Sequence, residues 1–148
     1  MAGYGHIGRE CARLAHAHGA TVFAATRDGQ RKPSSGYLVP GTGDHTGSLP
    51  EQWFATQDQD AYYDFLGRCD IVVNTLPLAN ATAHMVDEAA LSAMKGSAIY
   101  CNIGRGGTTD GEAILKALQA GNDFKGSEEE RVATGSLRIG GASLECVR

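Results

Sequence analysis

Apolar and polar residues alternate in a way that predicts helices and strands in turn along the first 121 residues. After a glycine-rich hexamer at residues 3–8, small or apolar side chains recur at helical spacing from Ile7 to His18. Gly19 stands where such a helix ends. Residues 21–25 then form a short run of small and apolar side chains, which is typical of a strand.

The second half of the chain repeats this alternation. Its predicted elements are, in chain order, a buried strand at 71–75 that Pro77 ends, a helix with Asp87 as N-cap that ends at Gly96, a strand at 97–102, and a helix that begins with the capping-box spacing of Thr109 and Glu112 and ends at Gly121. Strands that alternate with helices favour a parallel sheet covered on both faces. The predicted fold class is therefore α/β, a Rossmann-type doubly wound parallel sheet.

Two stretches interrupt the pattern. Residues 27–59 are rich in Gly, Pro, Ser, Asp and Thr, and a loop of this length indicates either a functional flap or a surface insertion. Within it, Trp53 and Phe54 are expected to form a short edge strand or to pin the loop to the body, and after it a short helix is expected over 61–66. Residues 122–148 show weak periodicity and a charged run, so we expect a mobile tail there, with at most a short helix and strand. Residues 1–121 are the predicted nucleotide-binding domain.

The hexamer Gly3-Tyr4-Gly5-His6-Ile7-Gly8 has the G-x-G-x-x-G spacing of a dinucleotide-binding turn. Two glycines permit a tight turn and close approach to a pyrophosphate, and Gly8 permits the helix to lie close to the sheet. The backbone N–H groups of His6 and Ile7 are expected to face the phosphates at the positive end of the helix dipole. Only Met1 and Ala2 precede the hexamer, so the strand before it is expected to be missing.

Composition restricts the partners. The 148 residues carry a net charge of −4 and 20% charged side chains, which is typical of a globular protein and argues against a nucleic acid as main partner. No apolar run is long enough for a membrane span. The four cysteines form no C-x-x-C pair, so they are expected to be reduced thiols in a cytoplasmic setting, and no metal site is expected.

Two segments together resemble the nucleotide-binding domain of the D-isomer-specific 2-hydroxyacid dehydrogenases. They are GYGHIGRECARLAHAHGATVFAATR and CDIVVNTLPLANATAHMVDEAALSAMKGSAIYCNIGRGGTTDGEAILKAL. The resemblance covers roughly residues 3–121 and depends most on the second segment, where a strand ends in Leu-Pro and a later strand runs into Asn-x-Gly-Arg-Gly. It implies an oxidoreductase that transfers a hydride between NADH or NADPH and a small 2-keto or 2-hydroxy acid, working as a homodimer when complete.

The resemblance also implies roles for single residues. Arg105 corresponds to the family's catalytic arginine, whose planar guanidinium grips the substrate carboxylate. The residues expected around the cofactor are Gly3, Gly5, His6, Ile7, Gly8, Thr26, Arg27, Thr75, Leu76, Pro77, Thr82, Ile103, Gly104 and Arg105.

The choice between NAD and NADP depends on the end of the second predicted strand. NAD-preferring relatives have an acidic residue there that binds the ribose 2′-hydroxyl. Thr26 occupies that position and Arg27 follows it, while Arg31 and Lys32 add positive charge. A neutral residue followed by an arginine favours a 2′-phosphate, so NADP is preferred over NAD.

The chain departs from the family in two further ways. The family's catalytic glutamate and its histidine, a general acid, follow the position of Gly121, and His16, His18, His45 and His84 do not match that histidine. The substrate-binding domain is also missing. We therefore expect a truncated dehydrogenase domain that is inactive by itself. The alternative is a non-catalytic product that binds nucleotide or pairs with the full-length enzyme through strand edges left unpaired by the missing first strand.

Overall fold

The computed structural model describes residues 1–37, 39–123 and 141–144. Its elements are the strands β1 (Phe23–Thr26), β2 (Gln52–Ala55), β3 (Ile71–Asn74), β4 (Ile99–Asn102) and β5 (Gly141–Leu144), the helices α1 (His6–Ala17), α2 (Gln59–Arg68), α3 (Glu88–Ala93) and α4 (Gly111–Asp123), and a short 3-10 helix (Gly106–Thr108). The predicted α/β class is confirmed. Among the described residues, no helix combines the length and the apolarity that a membrane span requires.

The strands form one parallel arrangement in two parts. β1 pairs with β2, and β3 pairs with β4, which pairs with β5, all in parallel. Ala2 joins the two parts, because it forms a parallel bridge to Ala25 and another to Asn74. With residues 1–3 at the centre, the spatial order matches the order 3-2-1-4-5-6 of doubly wound dinucleotide-binding sheets.

The first strand is thus reduced to residues 1–3, yet these residues bond to both neighbouring strands. The Ala2 N–H donates to the Val73 carbonyl at 2.9 Å, and the Gly3 N–H donates to the Ala25 carbonyl at 2.9 Å. The expectation that both strand edges lie unpaired is therefore wrong at the end of the sheet next to the glycine turn. Three residues suffice there because successive residues of an extended chain bond to opposite sides: Met1 and Gly3 bond to Ala25 of β1, and Ala2 bonds to Val73 of β3.

Helices cover both faces of the sheet, as predicted. One core cluster contains Phe65, Leu66 and Leu91 from α2 and α3, and it packs against Ala25 of β1. A second, smaller cluster contains Ala12 of α1 and Ala24 of β1. Successive residues of a strand point to opposite faces, so Ala24 and Ala25 assign the two clusters to the two sides. The helices α1 and α2 therefore lie on opposite faces.

Several boundaries differ from the prediction. Trp53 and Phe54 lie in β2 as expected, but α2 is longer than 61–66 because Asp58 caps it, accepting from the Ala61 N–H at 3.1 Å. Asp87 caps α3 as predicted. The cap predicted for the last helix, α4, is wrong, because Asp110 and not Thr109 accepts from the first N–H groups of that helix. The helix also continues past Gly121 to Asp123.

Two buried charged residues, Arg9 and Asp44, hold the long loop against α1. The Arg9 guanidinium donates to the carbonyls of Asp44 and Lys32, and it lies 4.9 Å from the ring centre of Tyr4. Tyr4 in turn donates to the Asp44 carboxylate at 2.9 Å. The long loop is thus pinned to the start of α1. In the expected tail, residues 141–144 form β5 and belong to the sheet, and the remainder from residue 124 lies outside the described residues.

Candidate functional site

The glycine turn at residues 3–8 leads directly into α1, as the motif predicts. Gly3 has a φ of +86°, a conformation that L side chains rarely adopt. A Cβ on Gly8 would lie 2.5 Å from the Gly3 carbonyl oxygen, so only glycine fits there. A Cβ on Gly5 would meet no atom within 4 Å. The backbone of Gly5 therefore faces open space, which leaves room for a ligand beside the turn.

The beginning of α1 offers unbonded N–H groups to that space. The first turn contains no acidic residue, and Gly5 provides no side-chain cap. Within the described residues, the N–H groups of His6, Ile7 and Gly8 have no hydrogen-bond acceptor, whereas the Arg9 N–H already donates to Gly5. His6 and Ile7 are exposed. Such a helix start, positive and open, suits a pyrophosphate, so the residues present fit a dinucleotide.

Three predicted segments lie side by side at the carboxyl end of the sheet. The Thr75 hydroxyl donates to the Gly3 carbonyl at 3.1 Å, and a Cβ on Gly3 would lie 2.9 Å from that hydroxyl oxygen. On the other side, a Cβ on Gly104 would lie 2.7 Å from the Leu76 carbonyl. The glycine turn, the segment 75–77 and the segment 103–105 are therefore adjacent. Ligands of doubly wound sheets bind at this end of the strands.

Two buried asparagines shape the segments that line this edge. Asn74 and Asn102 end β3 and β4 and are partners in the strand register. Each accepts through its side-chain oxygen from the N–H two residues ahead, at 3.0 Å from Leu76 and 3.0 Å from Gly104. These equal turns lead the chain out of both strands in the same way. The Asn102 amide also donates to the Arg105 carbonyl at 3.2 Å.

The side-chain amides of Asn74 and Asn102 donate hydrogen bonds to a set of buried hydroxyl groups. Asn74 donates to Tyr100 at 2.8 Å and to Thr108 at 2.9 Å, while Asn102 donates to Thr109 at 3.0 Å. The Tyr100 and Thr109 oxygens are 2.7 Å apart. Burial raises the pKa of the Tyr100 phenol, which keeps it protonated. The network is therefore neutral and links both loops through hydrogen bonds.

Arg105 is exposed at this edge. Its guanidinium Nη1 donates to the neighbouring Gly104 carbonyl at 3.2 Å, and the group otherwise faces open space within the described part of the chain. Its main chain is fixed, because its carbonyl accepts from the Thr108 hydroxyl at 2.7 Å and the Thr108 N–H at 3.0 Å. A fixed backbone with an open guanidinium suits an arginine that grips a carboxylate.

The end of β1 holds the residues predicted to select between the two dinucleotides. The Thr26 hydroxyl is buried and has no hydrogen-bond partner among the described residues, while Arg27 is exposed. Asp28 and Lys32 form an exposed ion pair, and Arg31 donates to the Thr46 carbonyl at 3.1 Å. The contact of Lys32 with Asp28 lowers the pKa of that carboxyl. Of these cations, Arg27 is the one with no side-chain bond in the described residues.

Thr82 organises its own loop. Its hydroxyl donates to the Pro77 carbonyl at 2.6 Å and accepts from the Ala79 N–H at 2.9 Å. The described histidines that could be compared with a general acid, His16, His18, His45 and His84, are all exposed. The described part of the chain holds no group of three or more His, Cys, Asp or Glu residues arranged for a metal ion.

Sequence reasoning missed the polar residues behind the site. These are Asn74, Tyr100, Thr108, Thr109 and Arg9, all of them buried. One signal was available: Asn74 and Asn102 both follow three apolar or thiol-bearing strand residues and precede a turn. A polar amide repeated at the carboxyl ends of two neighbouring strands indicates a shared role at one edge.

Comparison with known proteins gives a family match. The family model described as D-isomer specific 2-hydroxyacid dehydrogenase, NAD binding domain, matches residues 43–125, which is more than half of the chain. The glyoxylate reductase of Thermococcus kodakarensis is 33% identical over 121 residues, covering 82% of this chain and 31% of that protein. The glyoxylate/hydroxypyruvate reductase B of Klebsiella pneumoniae is 45% identical over 56 residues, covering 38% of this chain and 17% of that protein.

Solved structures agree on the fold. The NADPH-dependent glyoxylate/hydroxypyruvate reductase of Sinorhizobium meliloti, in complex with NADP and sulfate, matches with a TM-score of 0.59 at 25% identity, covering 99% of this chain and 37% of that one. The phosphoglycerate dehydrogenase of Lactobacillus plantarum matches with a TM-score of 0.63 at 23% identity, covering 93% and 42%. The chain spans about a third of the length of the glyoxylate reductase that it matches over 121 residues.

Proposed function

Because the chain belongs to the D-isomer specific 2-hydroxyacid dehydrogenase family, through its NAD binding domain, we propose that it binds the dinucleotide of a glyoxylate/hydroxypyruvate reductase-type enzyme. One observation carries the proposal. The glycine turn, the segment 75–77 and the segment 103–105 pack against one another at a single edge of the sheet. The proposed domain covers residues 1–121 with a loop at 27–59, and residues 122–148 follow it.

Each segment has a part in binding. The N–H groups of His6 and Ile7 hold the pyrophosphate, Thr75, Leu76 and Pro77 line the adenine and ribose side, and Ile103 and Gly104 line the nicotinamide. Gly3, Gly5 and Gly8 shape the turn, and Thr82 keeps the segment after Pro77 in place. When bound, the dinucleotide supplies or accepts the hydride.

Arg105 binds and orients the acid substrate in this proposal. Its guanidinium forms a bidentate pair with the carboxylate of a small 2-keto acid and directs a donor toward the keto oxygen. Support comes from the fixed main chain and the open guanidinium of Arg105. We find no candidate among the exposed described histidines for the proton transfer to the keto oxygen. We therefore propose that this chain is inactive by itself. We also propose that the full-length enzyme of this type acts as a cytoplasmic homodimer.

Cofactor titration tests this proposal. Quenching of the Trp53 fluorescence on addition of NADPH or NADH to the 148-residue chain is the expected result, because Trp53 packs against Tyr4 of the glycine turn at 5.0 Å between ring centres. Glyoxylate or hydroxypyruvate added to the complex should produce no oxidation of NADPH. Failure to bind either dinucleotide contradicts the proposed function, and measurable turnover contradicts the proposed inactivity.

We propose that the chain prefers NADP over NAD, because of the residues that follow β1. No carboxylate follows Ala25 until Asp28, which is paired with Lys32, and Arg27 is exposed. We expect Arg27→Ala to weaken NADP⁺ binding about tenfold while leaving NAD⁺ binding unchanged, since a surface arginine facing a phosphate contributes about this much. Isothermal titration with both dinucleotides measures the ratio. Arg13→Ala on α1, whose guanidinium is paired with Glu10, is the matched control. An equal loss for both dinucleotides would contradict the 2′-phosphate role.

The alternative, a non-catalytic partner that pairs through a strand, is favoured by one observation. Between the amino ends of β1 and β3 lies a groove of about 570 Å³ that Phe23, Ile71 and Val73 help to line. The Val73 carbonyl is bonded to Ala2, and within the described residues its N–H, on the same side, has no acceptor. Size-exclusion chromatography with a complete reductase distinguishes this role, because a strand-paired complex elutes earlier than either protein.

A further inference from the structure

The Thr108 side chain bonds both to Asn74, at the end of β3, and to the main chain of Arg105 in the segment 103–105. It is fully buried, its hydroxyl oxygen accepts from the Asn74 amide at 2.9 Å, and its hydroxyl hydrogen goes to the Arg105 carbonyl at 2.7 Å. The side-chain oxygen of Asn74 in turn accepts from the Leu76 N–H and so fixes the position of that group. A continuous path of hydrogen bonds therefore runs from Leu76 through Asn74 and Thr108 to Arg105.

The path is more polar than packing alone requires. Asn74 and Thr108 are completely buried, and placing amides and hydroxyls in a core is unfavourable unless every group is bonded. Valine has nearly the shape of threonine, so it could fill the same volume without any polar group. A valine side chain cannot accept from the Asn74 amide or donate to the Arg105 carbonyl, so only the main-chain N–H of residue 108 would still bond that carbonyl. The hydroxyl of Thr108 thus has a geometric role, beyond filling space.

We propose that Thr108 is a positioning residue that holds the segments 75–77 and 103–105 in one fixed relation, so that Arg105 and the nicotinamide-side backbone are placed before a ligand binds. The binding experiment that tests this inference rests on the proposed function, whereas the hydrogen-exchange experiment does not. Preorganisation of this kind improves binding because the loops need not be ordered at the moment of association. Because Thr108 is fully buried, it acts on a ligand through Asn74 and the Arg105 main chain.

Amide hydrogen exchange on the 148-residue chain tests the link without any cofactor. In Thr108→Val, the exchange of the Leu76 and Gly104 N–H groups should rise about tenfold, even though Leu76 is far from Thr108 in sequence. Thr108→Ser keeps the hydroxyl and should restore wild-type exchange at both sites. Val72→Ala, which removes buried apolar volume in β3, is the matched control and should raise exchange throughout the core. A rise at Gly104 without one at Leu76, or a uniform rise, overturns the proposal.

Binding provides the second readout. Thr108→Val should weaken NADP⁺ binding about tenfold, and it should weaken 2′-phospho-ADP-ribose binding by a smaller factor, because that compound lacks the nicotinamide but still contacts the segment 75–77. Val72→Ala should change both affinities by the same factor. Equal losses in Thr108→Val, or no loss, overturn the positioning role. If the wild-type chain binds none of the four compounds NADP⁺, 2′-phospho-ADP-ribose, NAD⁺ and ADP-ribose, the proposed function fails. The exchange experiment alone then decides the role of Thr108.

Discussion

The three motif glycines are needed for three different reasons. Gly3 has a positive φ, and Gly8 leaves no room for a Cβ beside the Gly3 carbonyl, so both belong to the fold. Gly5 has a φ of −80° and open space around its Cβ position, so the fold does not require glycine there. The space beside Gly5 leaves room for a ligand that approaches its backbone from outside. Gly5 is thus the glycine that reports on ligand binding.

Substitution separates these roles. Gly8→Ala should lower the free energy of unfolding by about 1–3 kcal/mol, because the new methyl group overlaps a backbone oxygen that cannot move freely. Gly5→Ala should change stability by less than about 1 kcal/mol, since alanine is a weaker N-cap than glycine, yet raise the Kd for the dinucleotide at least about tenfold. Urea denaturation and fluorescence titration of both variants measure the two effects. Normal binding by Gly5→Ala would contradict the pyrophosphate site.

At the scale of elements, the long loop is fixed to the rest of the domain, because Asp44 anchors it. The Asp44 carboxylate accepts from the N–H groups of Leu49 and Ser48 at 3.1 and 3.0 Å and from Tyr4. Burial opposes its ionisation, but the hydrogen bonds outweigh burial and hold its pKa below the ordinary value of 3.8. The charged carboxylate is therefore the form that fastens the loop.

This anchor makes stability depend on pH in one direction. Since the folded state lowers the pKa of Asp44, its contribution is complete above pH 3.8 and is lost as the pH falls through the folded-state pKa. Asp44→Asn should cost about 1–3 kcal/mol at pH 7, and the difference from wild type should shrink below pH 3.8. Thermal denaturation between pH 3 and 7 measures this. The exposed Asp60→Asn is the control, and a difference that stays constant with pH would contradict the anchor.

Elements with a clear period were predictable from the sequence, and elements set by distant partners were not. The spacing after Gly5 predicted α1, and Asp87 was identified as a cap from its position alone. Thr109 was misassigned as a cap because its hydroxyl bonds to Tyr100 and Asn102 in the core, a demand that local spacing does not reveal. Likewise β5 has no alternation of its own, and its pairing with β4 defines it. The candidate site was predicted as segments; the hydrogen bonds that join the segments were not.

For the whole molecule, the sheet is continuous because residues 1–3 lie between its two parts. Ala2 is completely buried, and its carbonyl accepts from the Thr75 N–H at 2.8 Å while its N–H donates to Val73. The same three residues lead into the glycine turn. The contact between the two parts of the sheet and the geometry of the phosphate site therefore depend on the same few hydrogen bonds, so stability and nucleotide binding should change together when these bonds are removed.

Ala2→Pro tests this coupling, because proline cannot donate to the Val73 carbonyl. The variant should lose about 1–3 kcal/mol of unfolding free energy, and its exchange should rise at Gly3 and Thr75, the residues that bond across the junction. Binding of the dinucleotide should weaken as well, since Gly3 loses its fixed position against Thr75. Ala2→Gly, which keeps the N–H, should cost less and leave the exchange at Thr75 protected. Equal behaviour of the two variants would show that the packing of Ala2, and not its hydrogen bonds, joins the sheet.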